Sequence, residues 1–208
     1  MLVLAAVATA ASVAMLASAG SASATVLCKS TTTPCASLYP TGTELKAQLK
    51  GGTKAKFQSM WTTIECNEST LNQTTQNNGS STTTVETFVE VLSFSECSCP
   101  GANAHINVVT KGTVEIHHIS GTDNGTLTGR DQYVTLKCTS LGTTCIFKTA
   151  ETGTDLGTLV GGENPVLAIN ASIPYKTGDA PQATCGASTT FTAEYSVTSV
   201  KGLFVEPS

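Results

Sequence analysis

Three histidines, eight cysteines, one tryptophan and a few acidic residues are the side chains of this chain with chemistry to offer. His117 and His118 are adjacent, and with His105 they suggest a copper or zinc site or a general base. A strand through 113–119 separates the pair, since successive side chains point to opposite faces: Val114, Ile116 and His118 on one, Glu115 and His117 on the other. The two cannot chelate one ion without a bulge, so a metal would need His105 from the preceding strand to complete the set.

Other catalytic patterns are incomplete. Gly186-Ala187-Ser188-Thr189-Thr190 lacks the second glycine of a nucleophile elbow. Glu86 and Glu90 share a strand face, but four residues of strand put them ~13 Å apart, too far for either glycosidase geometry. Asp123 and Asp131 flank Asn124-Gly125 without the alternating acids of a calcium loop. No phosphate-cradling loop is present, no cofactor is indicated, and the residues favour a binding or structural module over an enzyme.

Residues 2–19 are an uncharged run of small and apolar residues, and Ala22-Ser23-Ala24 supplies a small-x-small cleavage pattern. The expectation is a signal peptide over 1–24 and a mature chain of 25–208, secreted, extracellular and not stably inserted in a membrane. In an exported chain, eight cysteines read as four disulfides: Cys28, Cys35, Cys66, Cys97, Cys99, Cys138, Cys145 and Cys185. Short spacing predicts Cys28 with Cys35 and Cys138 with Cys145. A Cys97–Cys99 bridge would be strained, which leaves Cys66 with one of that pair and Cys185 with the other. Such long ties argue for a single domain over 25–208.

The elements that must position these residues read as strands. Thr is 36 of 208 residues, and β-branched runs alternate between turn-forming clusters. Strands are expected at 44–50, 60–66, 84–91, 105–110, 113–119, 131–138, 144–149, 165–173, 189–200 and 203–206. Asn78-Gly79 and Asn124-Gly125 suit tight hairpin turns, Gly161-Gly162 and 177–181 looser loops, and the polar stretch 67–84 a mobile loop. Lys54 and Lys56 read as charges guarding an exposed edge. The predicted fold is all-β, an antiparallel β-sandwich or irregular barrel of roughly ten strands stapled by disulfides.

With a formal charge of −4 and only 12% charged residues, the chain lacks the basic surplus that nucleic acid requires. Trp61, placed by alternation on a polar face with Thr63 and Glu65, is the candidate ligand contact, an indole able to stack on a sugar. The expected function is a secreted binding or structural module at or near the cell envelope, with cell-wall polysaccharide or an extracellular protein as partner. The alternative is an extracellular enzyme or copper/zinc protein using His105, His117 and His118.

Thr25-Val26-Leu27-Cys28-Lys29, Pro34-Cys35, Tyr39-Pro40-Thr41-Gly42-Thr43, Thr63-Ile64-Glu65-Cys66 and the closing 191–199 stretch form a pattern along most of the mature chain. It resembles a set of secreted, Thr-rich, disulfide-bearing proteins of high-GC Gram-positive soil bacteria, whose function is not known. The resemblance implies a compartment and no catalytic residues.

Overall fold

Alternating β-branched and aromatic residues bury one side of a pleated strand and leave the other to water, and a sheet built of them must close or be covered. The computed structural model describes residues 24–32, 34–78, 84–176 and 182–208. Among these it forms fourteen strands and one helical turn, and twelve of the strands join one antiparallel sheet that curls round to meet itself.

The ring has eight staves. Four are single strands: β4 (Thr63–Thr75), β5 (Val85–Cys99), β12 (Val166–Pro174) and β13 (Ser188–Val197). Each of the other four is two strands set end to end: β2 (Glu44–Leu49) with β3 (Ala55–Ser59), β6 (Ala102–Thr110) with β7 (Thr113–His118), β8 (Gly125–Arg130) with β9 (Tyr133–Cys138), and β10 (Thr144–Lys148) with β11 (Thr154–Val160). Each stave pairs with the next in sequence, and β13 returns to the first, setting Tyr195 opposite Leu49 on β2 and Phe191 opposite Phe57 on β3. Of the two architectures expected, this is the barrel; the facing sheets of a sandwich are not formed.

Inward residues such as Phe57, Ile64, Ile116, Leu136, Leu159 and Tyr195 are almost wholly buried. Outward rows are mostly polar: on β4 they include Glu65, Asn67, Thr70, Asn72 and Thr74, while Phe88, Val91, Val109 and Val160 are exposed apolar exceptions on other strands. That is the reverse of the apolar-out pattern of membrane barrels, and among the described residues no helix is long and apolar enough to cross a membrane.

A ribbon of β1 (Thr25–Cys28) and β14 (Phe204–Pro207) covers one end of the barrel. The side chain of Asn78 holds it there, accepting from Leu27 N at 2.8 Å and donating to the carbonyls of Leu27 and Tyr39. Thr25 Oγ1 accepts the backbone N–H of His118 at 3.0 Å. Cys28–Cys35 lies at this end, and the other three disulfides lie toward the opposite rim: Cys66–Cys97, Cys99–Cys138 and Cys145–Cys185.

All eight cysteines are bonded, as expected, and Cys28–Cys35 and the Cys66 partner agree with the spacing. The local pair Cys138–Cys145 does not form. These residues flank the turn of the β9–β10 hairpin, where Cys145 lies opposite Leu136 rather than Cys138, and Cys138 bonds Cys99 across the rim while Cys145 bonds Cys185 of the helical turn α1 (Gln182–Cys185). The long tie from the Cys97/Cys99 region to Cys185 is therefore replaced by two of intermediate length.

Several local expectations are also overturned. The polar stretch 67–84 is strand as far as Thr75, because its inward positions Ser69, Leu71, Gln73 and Thr75 are mostly polar yet hydrogen-bond inside the barrel; residues 79–83 lie outside those described, as do 1–23 and the 177–181 loop. The Asn124-Gly125 pair forms no two-residue turn: Ile119 to Asn124 make a longer loop and Gly125 opens β8. β3, which carries Lys56, is no edge, since it pairs with both β4 and β13. β1, β3, β8 and β11 were not foreseen as strands; in β11 a bulge at Gly157 puts the buried Leu156 and Leu159 three apart, which destroys the alternation.

Candidate binding site in the barrel interior

The interior is the one place where side chains from every stave converge. Its aromatic centre is Phe57 stacked on Phe191 at 4.4 Å between ring centroids, with Phe94 edge-on to both at 5.2 and 5.8 Å. Beside it lies an apolar cavity of about 50 Å³, bordered among others by Leu71, Leu92, Leu127, Val134, Ile169 and Tyr195. Eight staves enclose a space that side chains can just fill or that admits one small ligand.

Most of the few polar groups inside are paired, the buried Thr189 hydroxyl near the rim being an exception. Ser69 Oγ meets Tyr195 Oη at 2.7 Å and donates to the Ser93 carbonyl at 2.8 Å. Thr87 Oγ1 donates to Gln73 Oε1, and Thr149 Oγ1 accepts the backbone N–H of Gln132. Burial pushes the Tyr195 phenol well above its ordinary value, against the opposing pull of the Ser69 hydrogen bond. Among the described residues the interior therefore offers a neutral, mostly apolar surface with no group poised to transfer a proton near neutral pH.

Among the described residues the wall's ladder is interrupted in two places. Between β12 and the stave of β10 and β11 it stops at Gly157–Ile169 and resumes only at the Phe147–Tyr175 bridge, but there Phe147, Leu156 and Ile173 are buried. The longer interruption lies beside β5. β5 and the stave of β6 and β7 form a single antiparallel register, paired at Cys99–Ala102 and Ser98–Asn103 and again from Phe88–Thr113 to Val85–Ile116. Between these zones no ladder joins Glu90–Cys97 to Ala104–Lys111. β6 keeps its ladder on its other side, with β9, from Ala104–Cys138 to Val108–Val134. The inward residues flanking the interruption, Leu92 and Phe94 on β5 and Ile106 and Val108 on β6, are only half-buried. A bulge in β5, where Asn72 faces Val91 and Gln73 faces Val89, turns Val91 outward and Leu92 inward.

The residues singled out from sequence do not gather at this site. His105 is exposed on β6, and His117 and His118 end β7 about 40 Å further along the same stave at strand rise. His117 Nε2 stands 3.7 Å from Glu115, and His118 Nε2 is 2.8 Å from the Thr122 carbonyl. Among the described residues, no three His, Cys, Asp or Glu are grouped to hold a metal ion, and His105 cannot complete a set from the far end of its stave. Glu86 and Glu90 face outward, Glu90 accepting from Thr74 Oγ1 at 2.6 Å. Trp61 lies in the turn between β3 and β4 rather than on a strand face, half-buried against the core.

The cavity and the β5–β6 interruption leave no mark in the sequence pattern. Alternation could reveal the inward residues, but an interruption arises where a ladder between two strands fails to continue, and no local pattern records that. No family model, curated protein or solved structure matches the chain.

Proposed function

We propose that this chain is an exported binding module that works outside the cell or at its envelope and holds a ligand without transforming it. The observation that carries this proposal is the closed barrel with a mostly polar outer face, an apolar inner face and residual internal space. Four disulfides suit an oxidising compartment, in keeping with the leader-like residues 1–24. Polysaccharide or protein partners at the envelope would meet the outer face, where Trp61 offers a half-exposed ring beside the three-disulfide rim.

The test is capture. Chain beginning at Thr25 is incubated with washed cell walls, with purified polysaccharides and with a solvent extract of the culture, at low and moderate salt, and bound material is identified by mass spectrometry. Saturable retention of a defined compound, unaltered on release, is the expected result. Retention of nothing in all three arms overturns the proposal, and release of a chemically altered compound would make the chain an enzyme.

A further inference from the structure

We infer that the interruption between β5 and β6 is a lateral entrance through which the barrel takes up an uncharged, linear hydrocarbon chain. The inference rests on the binding reading above and names the ligand class.

The entrance is defined by pairing. It runs from the bond of Val89 N to Gly112 O, 3.1 Å, to the Ser98–Asn103 pair, eight residues of each strand or about 26 Å of strand length. Lys111 reaches across one end to the Glu90 carbonyl. Elsewhere in the ring, inward aliphatic residues such as Ile64, Ile116, Leu127 and Leu136 are all but inaccessible, whereas Leu92, Phe94, Ile106 and Val108 keep contact with water.

Both ends of the barrel are covered. The β1–β14 ribbon closes one, and at the other Ile64, Cys66, Cys145, Cys185 and Thr189 are wholly buried although they sit near the rim. Leu92 connects entrance and interior, being half-exposed in the interruption and bordering the cavity. Val134, which also borders that cavity, pairs with Val108 at the entrance.

Shape and charge select the ligand. A cavity of about 50 Å³ is well short of the ~150 Å³ that holds a benzene ring, so a compact ligand does not fit. It accepts the tip of a narrow chain whose remaining length lies along the entrance between Leu92 and Phe94 on one side and Ile106 and Val108 on the other. These four side chains are apolar, and a charged group drawn among them would lose its hydration without a partner.

The experiment uses the disulfide-intact chain with isotope-labelled Leu, Ile and Val methyl groups, titrated with 1-decanol below its solubility limit and separately with benzene. Saturable shifts at Leu92, Ile106, Val108 and Val134 with decanol, and none there with benzene, are expected. Ile106→Glu and Leu92→Gln should each weaken decanol binding tenfold or more, while Phe88→Glu, on the outer face, should change it less than twofold. Circular dichroism and the non-reduced mass verify that each variant is folded and bridged. No saturable shift at these methyls, equal binding of benzene, or undiminished binding by two folded entrance variants overturns the inference. Capture of a polysaccharide in the broader screen together with silent methyls would remove the entrance and leave the binding module standing.

Discussion

The hydroxyls of Ser69 and Tyr195 meet 2.7 Å apart inside the barrel, joining β4 to β13 across the stave of β2 and β3 that separates them in the ring. Ser69 also donates to the Ser93 carbonyl, so three staves share one small polar junction in an apolar interior. Such a junction fixes register where apolar contacts alone are indifferent to a slip.

Tyr195→Phe should lower stability by about 1 kcal/mol at pH 8, the usual net worth of one buried hydrogen bond. The wild-type phenol is held protonated by burial, above its ordinary value of 10.0. Its stabilising contribution is therefore whole below pH 10.0 and falls as the pH rises beyond it, because the unfolded chain releases that proton and the native chain does not. Urea midpoints of the two proteins should lie apart at pH 8 and draw together by pH 11; a constant gap would contradict this.

Replacing disulfides in pairs by serine should rank them by loop length. Removing Cys28–Cys35, seven residues apart, should cost about 2.5 kcal/mol on the chain-entropy model. Cys99–Cys138 and Cys145–Cys185, 39 and 40 residues apart, should each cost about 4 kcal/mol. Denaturant titration gives the ranking, and proteolytic mapping without reduction should recover a Cys99–Cys138 peptide pair and no Cys138–Cys145 pair.

Gly112 joins β6 to β7 at a φ of +61°, and a Cβ there would stand 1.9 Å from the Arg130 carbonyl oxygen. Its own carbonyl accepts from Val89 and ends the wall interruption. Gly112→Ala should cost about 2 kcal/mol or more from backbone strain and the clash together. Gly51→Ala, with nothing near its Cβ, should stay within about 0.5 kcal/mol. Equal urea midpoints for the two variants would contradict the assignment.

Most of the fold's character was legible in the residues, and its closure was not. Alternation locates strands where several bulky aliphatic residues recur on one face, as at Val114 and Ile116 or Leu167 and Ile169, and misses β8, whose inward row is Gly125, Leu127 and Gly129. It failed where the barrel tolerates polar inward groups, as at Ser69 and Gln73, and where a bulge shifts the phase, as at Gly157. Cysteine spacing yielded Cys28–Cys35 because a short loop closes on itself. It misjudged Cys138 and Cys145, whose partners are set by which staves meet at the rim. The interior site depends on the β5–β6 ladder lapsing over residues that each read as ordinary strand.

Because each stave pairs with its successor in sequence, most of the ring can be assembled from contacts between neighbours along the chain. Two joints are different: β13 must find β2 and β3, and β14 must find β1, where Thr25 lies opposite Pro207. For a chain threaded through a membrane amino end first, residues 25–28 reach the far side while their partners at 204–207 are still on the near side. Leu27 and Val26 then remain uncovered until translocation is nearly finished, a period in which they are open to proteases or to the custody of a holding factor.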